Sequence, residues 1–109
     1  MKHILFVCSR NKLRSPTAEQ VFADWPGIEV ASAGTDQAAD VPLSPELVRW
    51  AELIFVMEPI HRDKLRQRFR ALLATQRIVC LNIPDDYAFM QPELVALLKR
   101  KVMPHLMAR

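Results

Sequence analysis

Four short apolar, β-compatible runs alternate with segments that open at proline and carry apolar residues at helical spacing, and this alternation leaves few folds open to the chain. The runs cover residues 3–8 (HILFVC), 28–33 (IEVASA), 53–57 (LIFVM) and 77–82 (RIVCLN). The first is continuously apolar rather than alternating, as in a strand covered on both faces, so it belongs at the centre of a sheet. Between the runs, Ser15-Pro16 reads as an N-cap followed by proline at the first helical position, with Ala18, Val21, Phe22 and Trp25 at i, i+3, i+4 and i+7. Pro26-Gly27 should end that helix. Ser44-Pro45 opens a short helix to about Ala51, and Pro59 a third, with Leu65, Phe69, Leu72 and Leu73 on one face. Pro92 opens the last, with Leu94, Val95, Leu98 and Val102 inward, and Pro104 is expected to kink or stop it. Strands alternating with helices imply right-handed βαβ units, hence an α/β fold of three layers: about four parallel strands with helices on both faces. In such sheets a ligand sits beyond the carboxyl ends of the strands, which singles out the loop from Cys8 to Ser15.

At 109 residues and with half of them hydrophobic, the chain can bury one core without staples, so residues 1–109 are read as a single domain. No apolar run approaches the roughly 18 residues of a membrane helix and no leader follows Met1, which points to the cytoplasm and away from a membrane. Cys8 and Cys80 are too few for a disulfide framework and lack zinc spacing. His61 and His105 have no partners at metal spacing either, so neither a metal nor another cofactor is expected. The net charge of +3 is unevenly spread. Arg10, Lys12 and Arg14 stand without an acid in residues 9–15, and Arg62, Lys64, Arg66, Arg68 and Arg70 face only Asp63 in residues 61–70. An anionic partner is suggested at both places, although a charge this modest does not call for nucleic acid.

The segment Cys8-Ser9-Arg10-Asn11-Lys12-Leu13-Arg14-Ser15 has the pattern C-x5-R-S, with cysteine at a strand end and arginine at the mouth of a helix. A five-residue loop curled between them can point successive N–H groups at one tetrahedral anion while Arg14 clamps two of its oxygens. The helix N-terminus adds its positive dipole end to the same point. Cations and N–H dipoles of this kind favour a nucleophilic thiolate at Cys8, and Ser15 can donate its hydroxyl to the sulfur. Asn11 suits a left-handed position in a loop that has no glycine.

On these residues the chain resembles the low-molecular-weight protein tyrosine phosphatases, and with them the arsenate reductases built on the same fold. The resemblance runs through KHILFVC, Asn11, Arg14 to Glu19, Ser32-Ala33-Gly34, Val56-Met57, His61 to Leu65 and the late loop Ile83-Pro84-Asp85-Asp86-Tyr87. It implies Cys8 as nucleophile, Arg14 as transition-state clamp and Asp85 as general acid. It also implies phosphate held by Ser9, Arg10, Asn11, Lys12, Leu13, Arg14 and Ser15, with Lys12, Asp86 and Tyr87 lining the substrate pocket. The chain departs from the family in having Arg10 for a glycine, Lys12 for an apolar residue, Leu13 for a frequent second cysteine and Asp86 for a proline. Its segment from Gly34 to Ser44 and the stretch before the fourth strand are shorter, which suggests a more open pocket.

The expected activity is therefore hydrolysis of a phosphomonoester, foremost a phosphotyrosine protein or an aryl phosphate, through a cysteinyl-phosphate. Inorganic phosphate or vanadate would be the product-like ligand. Two alternatives are arsenate reduction with an external thiol and a non-catalytic module that binds phosphorylated partners. Cys80, between Val79 and Leu81, reads as a core residue. Met57, Met90, Met103, Met107, Trp25 and Trp50 read as packing residues. The basic third helix reads as a solvated face.

Overall fold

The computed structural model describes residues 1–107 and orders the elements as the alternation requires. They are β1 (Lys2–Cys8), α1 (Arg14–Phe22), β2 (Ile28–Gly34), α2 (Pro45–Trp50), β3 (Leu53–Val56), α3 (Pro59–Phe69) with a 3-10 turn at Arg70–Leu72, β4 (Arg77–Cys80) and α4 (Pro92–Met107). All four strands are parallel in the order β2-β1-β3-β4, which puts the most apolar strand inside. Cys8 pairs with Gly34 and Val7 with Val56, so the strand ends that face the first loop lie at one edge of the sheet.

Side chains alternate across β1, and each set meets its own helical layer. Ile4 and Phe6 join Phe22 of α1, Phe55 of β3, and Leu94, Leu98 and Val102 of α4, with Phe6 stacked on Phe22 and Phe55 at 5.9 and 5.4 Å between ring centroids. Leu5 and Val7 join Ile54, Val56, Val48 of α2, and Leu65 and Phe69 of α3 on the other face. Burying each such side chain is worth about 1.5–3 kcal/mol, so the two faces hold β1 rigidly and with it the start of the loop.

Several details differ from the sequence expectation. Helix α1 begins at Arg14 with no side-chain cap, because the Ser15 hydroxyl is wholly buried and turned to the Cys8 sulfur instead. Ser44 does cap α2, accepting from Leu47 N–H at 3.2 Å. α1 ends at Phe22, yet Trp25 still packs edge-on against Phe22, reached through a turn. Pro104 does not stop α4, which runs on to Met107; the proline falls in the last turn, where it removes a single backbone bond, and His105 stays seated edge-on against Phe55. Val95 is only half-buried. Cys80 packs against the cluster of Leu5, Val7, Ile54 and Val56 but is only half-buried, because β4 is an edge strand and Cys80 is its last residue. Met57 is fully buried, Met107 is exposed, and Met90 sits in a left-handed turn at φ 58° rather than on a helix face.

Candidate active site

β1 and α1 are joined by only five residues, and the chain must reverse between them without glycine. Asn11 takes the left-handed step, at φ 58°. The adjoining segment after β2 then binds the outer side of the loop: N–H groups of Thr35, Asp36 and Asp40 donate to the carbonyls of Cys8, Ser9 and Arg10 at 2.9, 2.9 and 3.1 Å. Gly34 permits this closeness, since a Cβ there would overlap the Ser9 carbonyl oxygen and the Ala39 side chain. The Leu13 carbonyl is taken by Thr17 N–H at 3.1 Å and by its hydroxyl at 2.5 Å. Among the described residues, by contrast, the N–H groups of Ser9 to Leu13 donate to no protein acceptor. A loop with its carbonyls engaged and its N–H groups free is built to receive an anion.

The loop borders an open space. A cavity of about 380 Å³ lies over the loop, lined by Cys8, Ser9, Arg10, Lys12, Leu13, Arg14, Asp36 and Asp85. Behind it runs a buried polar network. Asn11 Nδ2 donates to both Ser15 Oγ and Ser32 Oγ at 2.9 Å, and its Oδ1 accepts Val41 N–H at 3.1 Å. Each serine accepts an N–H from Asn11: Ser32 donates its own proton to Glu19 Oε1 at 2.5 Å, and Ser15 Oγ lies 2.9 Å from Cys8 Sγ and 3.4 Å from the Ala33 carbonyl, to which it can donate. The network therefore holds the Ser15 hydroxyl within hydrogen-bond distance of the sulfur and fixes its orientation from behind.

Arg14 is almost wholly buried, at 2% relative exposure, and a buried guanidinium needs partners. Its Nη1 donates to Glu58 Oε1 at 2.5 Å and to the Ile83 carbonyl at 2.8 Å, while Asp85 Oδ1 stands 3.6 Å from Nε. Glu58 ends the turn between β3 and α3, so Nη1 of Arg14 is anchored while the residue lines the cavity. His61, fully buried, accepts the Glu58 N–H at Nδ1 (3.0 Å) and so carries its proton on Nε2, which donates to Ser9 Oγ at 2.8 Å. Burial first, then the Arg14 charge, lowers its pKa from 6.5 to about 4, so the ring stays neutral.

The structure thus brings Cys8, Arg14, Asp85 and the loop residues Ser9 to Leu13 together. Asn11 and Ser15 turn their side chains to the network behind. Asp86 and Tyr87 do not line the cavity: Asp86 is exposed, and Tyr87 packs against the apolar cluster between β1, α1 and α4. Asp85 reaches the cavity from a bend, 3.6 Å from Arg14 and still largely exposed, and the tyrosine ring gains more from apolar contact than from solvent.

Four residues were missed by sequence reasoning. Asp40 pairs with Lys12 at 2.7 Å, Asp36 stands 4.0 Å from Arg10, and Glu58 and His61 hold Arg14 and Ser9. A glutamate directly before Pro59, at the end of a central strand, with histidine three residues on, was a signal available for the last two. Among the described residues no group of three or more His, Cys, Asp or Glu side chains could hold a metal ion, and no helix is long and apolar enough to cross a membrane.

No protein-family model matches the sequence, and no curated protein does so either. Solved structures do resemble the fold. The YwlE arginine phosphatase from Geobacillus stearothermophilus superposes with a TM-score of 0.76 at 23% identity, covering 97% of this chain and 94% of its own. The tyrosine phosphatase Wzb from Escherichia coli K30, solved in complex with phosphate, gives 0.77 at 21% identity over 98% and 99%. A low-molecular-weight phosphotyrosine phosphatase from Vibrio cholerae O395 gives 0.79 at 18% identity over 97% and 95%. The architecture is the α/β fold of these phosphatases.

Proposed function

We propose, from that shared architecture and from the loop built upon it, that the chain is a cysteine-dependent phosphomonoester hydrolase acting on phosphotyrosine in proteins. The observation that carries the reading is the conjunction at Cys8: a sulfur 2.9 Å from the Ser15 hydroxyl, in a cavity lined by a loop whose N–H groups have no protein acceptor among the described residues and by a buried arginine. The substrate phosphorus sits over Cys8, its equatorial oxygens held by the loop N–H groups and the open donors of Arg14. The thiolate attacks in line. The S–P bond forms as the P–O bond to the phenol breaks, and Asp85, as the carboxylic acid, gives its proton to the departing oxygen. Asp85, now a carboxylate, takes a proton from water as the water oxygen attacks phosphorus. The S–P bond breaks, inorganic phosphate is released and the thiolate returns.

The reading uses no metal or cofactor. Its dependence on a free thiol suits a reducing compartment, hence the cytoplasm, and residues 1–109 form the catalytic unit. Lys12 at the rim disfavours a cationic leaving group such as the guanidinium of phosphoarginine. Its pairing with Asp40 makes that preference modest.

The test is a single-turnover reaction with labelled aryl phosphate, quenched in acid, beside steady-state assays with and without thiol and arsenate. Phosphate trapped on Cys8, with turnover independent of thiol, supports the proposal. Label on histidine or aspartate overturns it. Thiol-dependent loss of arsenate would favour the reductase, and tight phosphotyrosine binding without turnover the binding module. Cys8→Ser should abolish turnover and still bind vanadate, because N–H groups and Arg14 hold the anion.

A further inference from the structure

A second cavity, of about 280 Å³, is lined by Arg66, Arg70, Leu73, Gln76 and Ile78. It lies between the carboxyl end of α3 and the start of β4, whereas the candidate active site gathers where the strands end, so the two open at opposite ends of the sheet. Arg70 continues the helical backbone of α3, at φ −49° and ψ −43°, so Arg66 and Arg70 stand one turn apart on one side. Neither forms an ion pair among the described residues. Their neighbours are already engaged: Arg62 with Asp63 at 3.9 Å, and Arg68 with the Thr35 carbonyl at 2.9 Å and over the Phe69 ring. Two like charges converge on an apolar floor of Leu73 and Ile78 with nothing to offset them. That floor and rim match an aliphatic stem carrying a carboxylate.

The strand beside the cavity adds an independent constraint. β4 is the edge of the sheet. Arg77 N–H and the following Leu81 N–H turn toward β3, donating to Glu52 and Val56 carbonyls at 3.2 and 2.8 Å, so alternation turns the backbone groups of Ile78 and Cys80 to the open edge. Such an edge pairs with a peptide backbone, not with a lipid headgroup or a nucleic acid.

We propose that this cavity and the β4 edge form a docking site for an extended acidic peptide segment of a protein partner, added as a strand beside β4 with a carboxylate between Arg66 and Arg70. The site stands apart from the proposed catalysis and does not depend on it.

The test is fluorescence anisotropy with a labelled peptide of alternating glutamate and valine, lacking any phosphorylated residue, added to the full chain with vanadate present to occupy the active site. Saturable binding is expected, weakened at least about tenfold by Arg66→Glu/Arg70→Glu, and comparably by N-methylation of the peptide, which removes its backbone donors. Aryl-phosphate turnover and thermal melting of the double variant should match wild type. Should the double variant melt early, Arg66→Gln and Arg70→Gln separately must each weaken binding. The proposal is overturned if the variants bind the peptide as wild type does, or if N-methylation has no effect. Equal binding of single-stranded DNA or of phosphatidylserine vesicles, or a dimer that the peptide does not dissociate, also overturns it.

Discussion

The two basic segments of this chain look alike as sequence and have opposite electrostatic fates in the fold. Around the first cavity, Arg10, Lys12 and Arg14 are met by Asp36, Asp40, Glu58 and Asp85, so its rim carries no excess of cations. At the second, Arg66 and Arg70 are left without an acidic partner among the described residues. An anion site thus need not be a basic patch. On the proposed reading the first cavity would hold a tetrahedral dianion through directed donors, the five loop N–H groups that have no protein acceptor among the described residues and one clamped guanidinium, while the second offers undirected positive charge over an apolar floor. Directed donors at fixed distance can stabilise a transition state; diffuse charge attracts and orients.

The sharpest way to break this comparison is to remove direction while keeping charge. Arg14→Lys retains the cation and should reduce kcat on an aryl phosphate by about 100-fold or more, because an ammonium cannot form the planar two-point clamp; a loss of only a few-fold in steady-state assays would mean that charge alone suffices. Glu58→Gln, which weakens the anchor of Arg14, should lower kcat more than it raises KM. It should also cost about 1–3 kcal/mol in urea unfolding.

Next in size is the acid. Asp85→Asn should slow substrates with poor leaving groups by about 100-fold and leave good ones far less affected, since a stable phenolate needs little protonation. A series of aryl phosphates of graded leaving-group acidity reads this directly, and Asp86→Asn should change the series little because Asp86 lies outside the cavity.

The neutral His61 sharpens the comparison through pH. Its pKa is 6.5 in the unfolded chain and about 4 in the fold, so the unfolded state binds the extra proton between those values. The stability held above pH 6.5 is therefore lost as the pH falls toward 4, by up to about 3 kcal/mol. The charged and titratable groups facing the ring are Arg14, Glu58, Lys64 and Asp85, and protonation would also strip the Glu58 N–H of its acceptor. Urea midpoints at about pH 7.5 and 4.5 should diverge in wild type and converge in His61→Asn.

The smallest effect should come from the rim. Asp40→Asn frees Lys12, and exposed pairs are worth about 0.2–1 kcal/mol, so KM for an anionic substrate should fall by no more than a few-fold and the gain should vanish in high salt.

Much of the molecule was legible before any coordinates. Strand and helix order follow from local periodicity and proline punctuation. The C-x5-R-S spacing places Cys8 and Arg14 at opposite ends of one loop, and Asn11 fits its left-handed step for a reason written in its own side chain. These are short-range properties, carried by neighbours in the chain. What only the tertiary structure decided is which charges meet: Arg14 with Glu58, Lys12 with Asp40, His61 with Ser9, each pair dozens of residues apart. The same holds for Ser15, which has the sequence of a cap and the position of a sulfur partner, and for Cys80, which packs against the core as its apolar neighbours suggest but is left half-buried by its edge strand. A periodic pattern says which face of an element is buried; it holds no record of the element that will lie against that face, and pairing energies depend on the distance to that element and on how far the pair is removed from water.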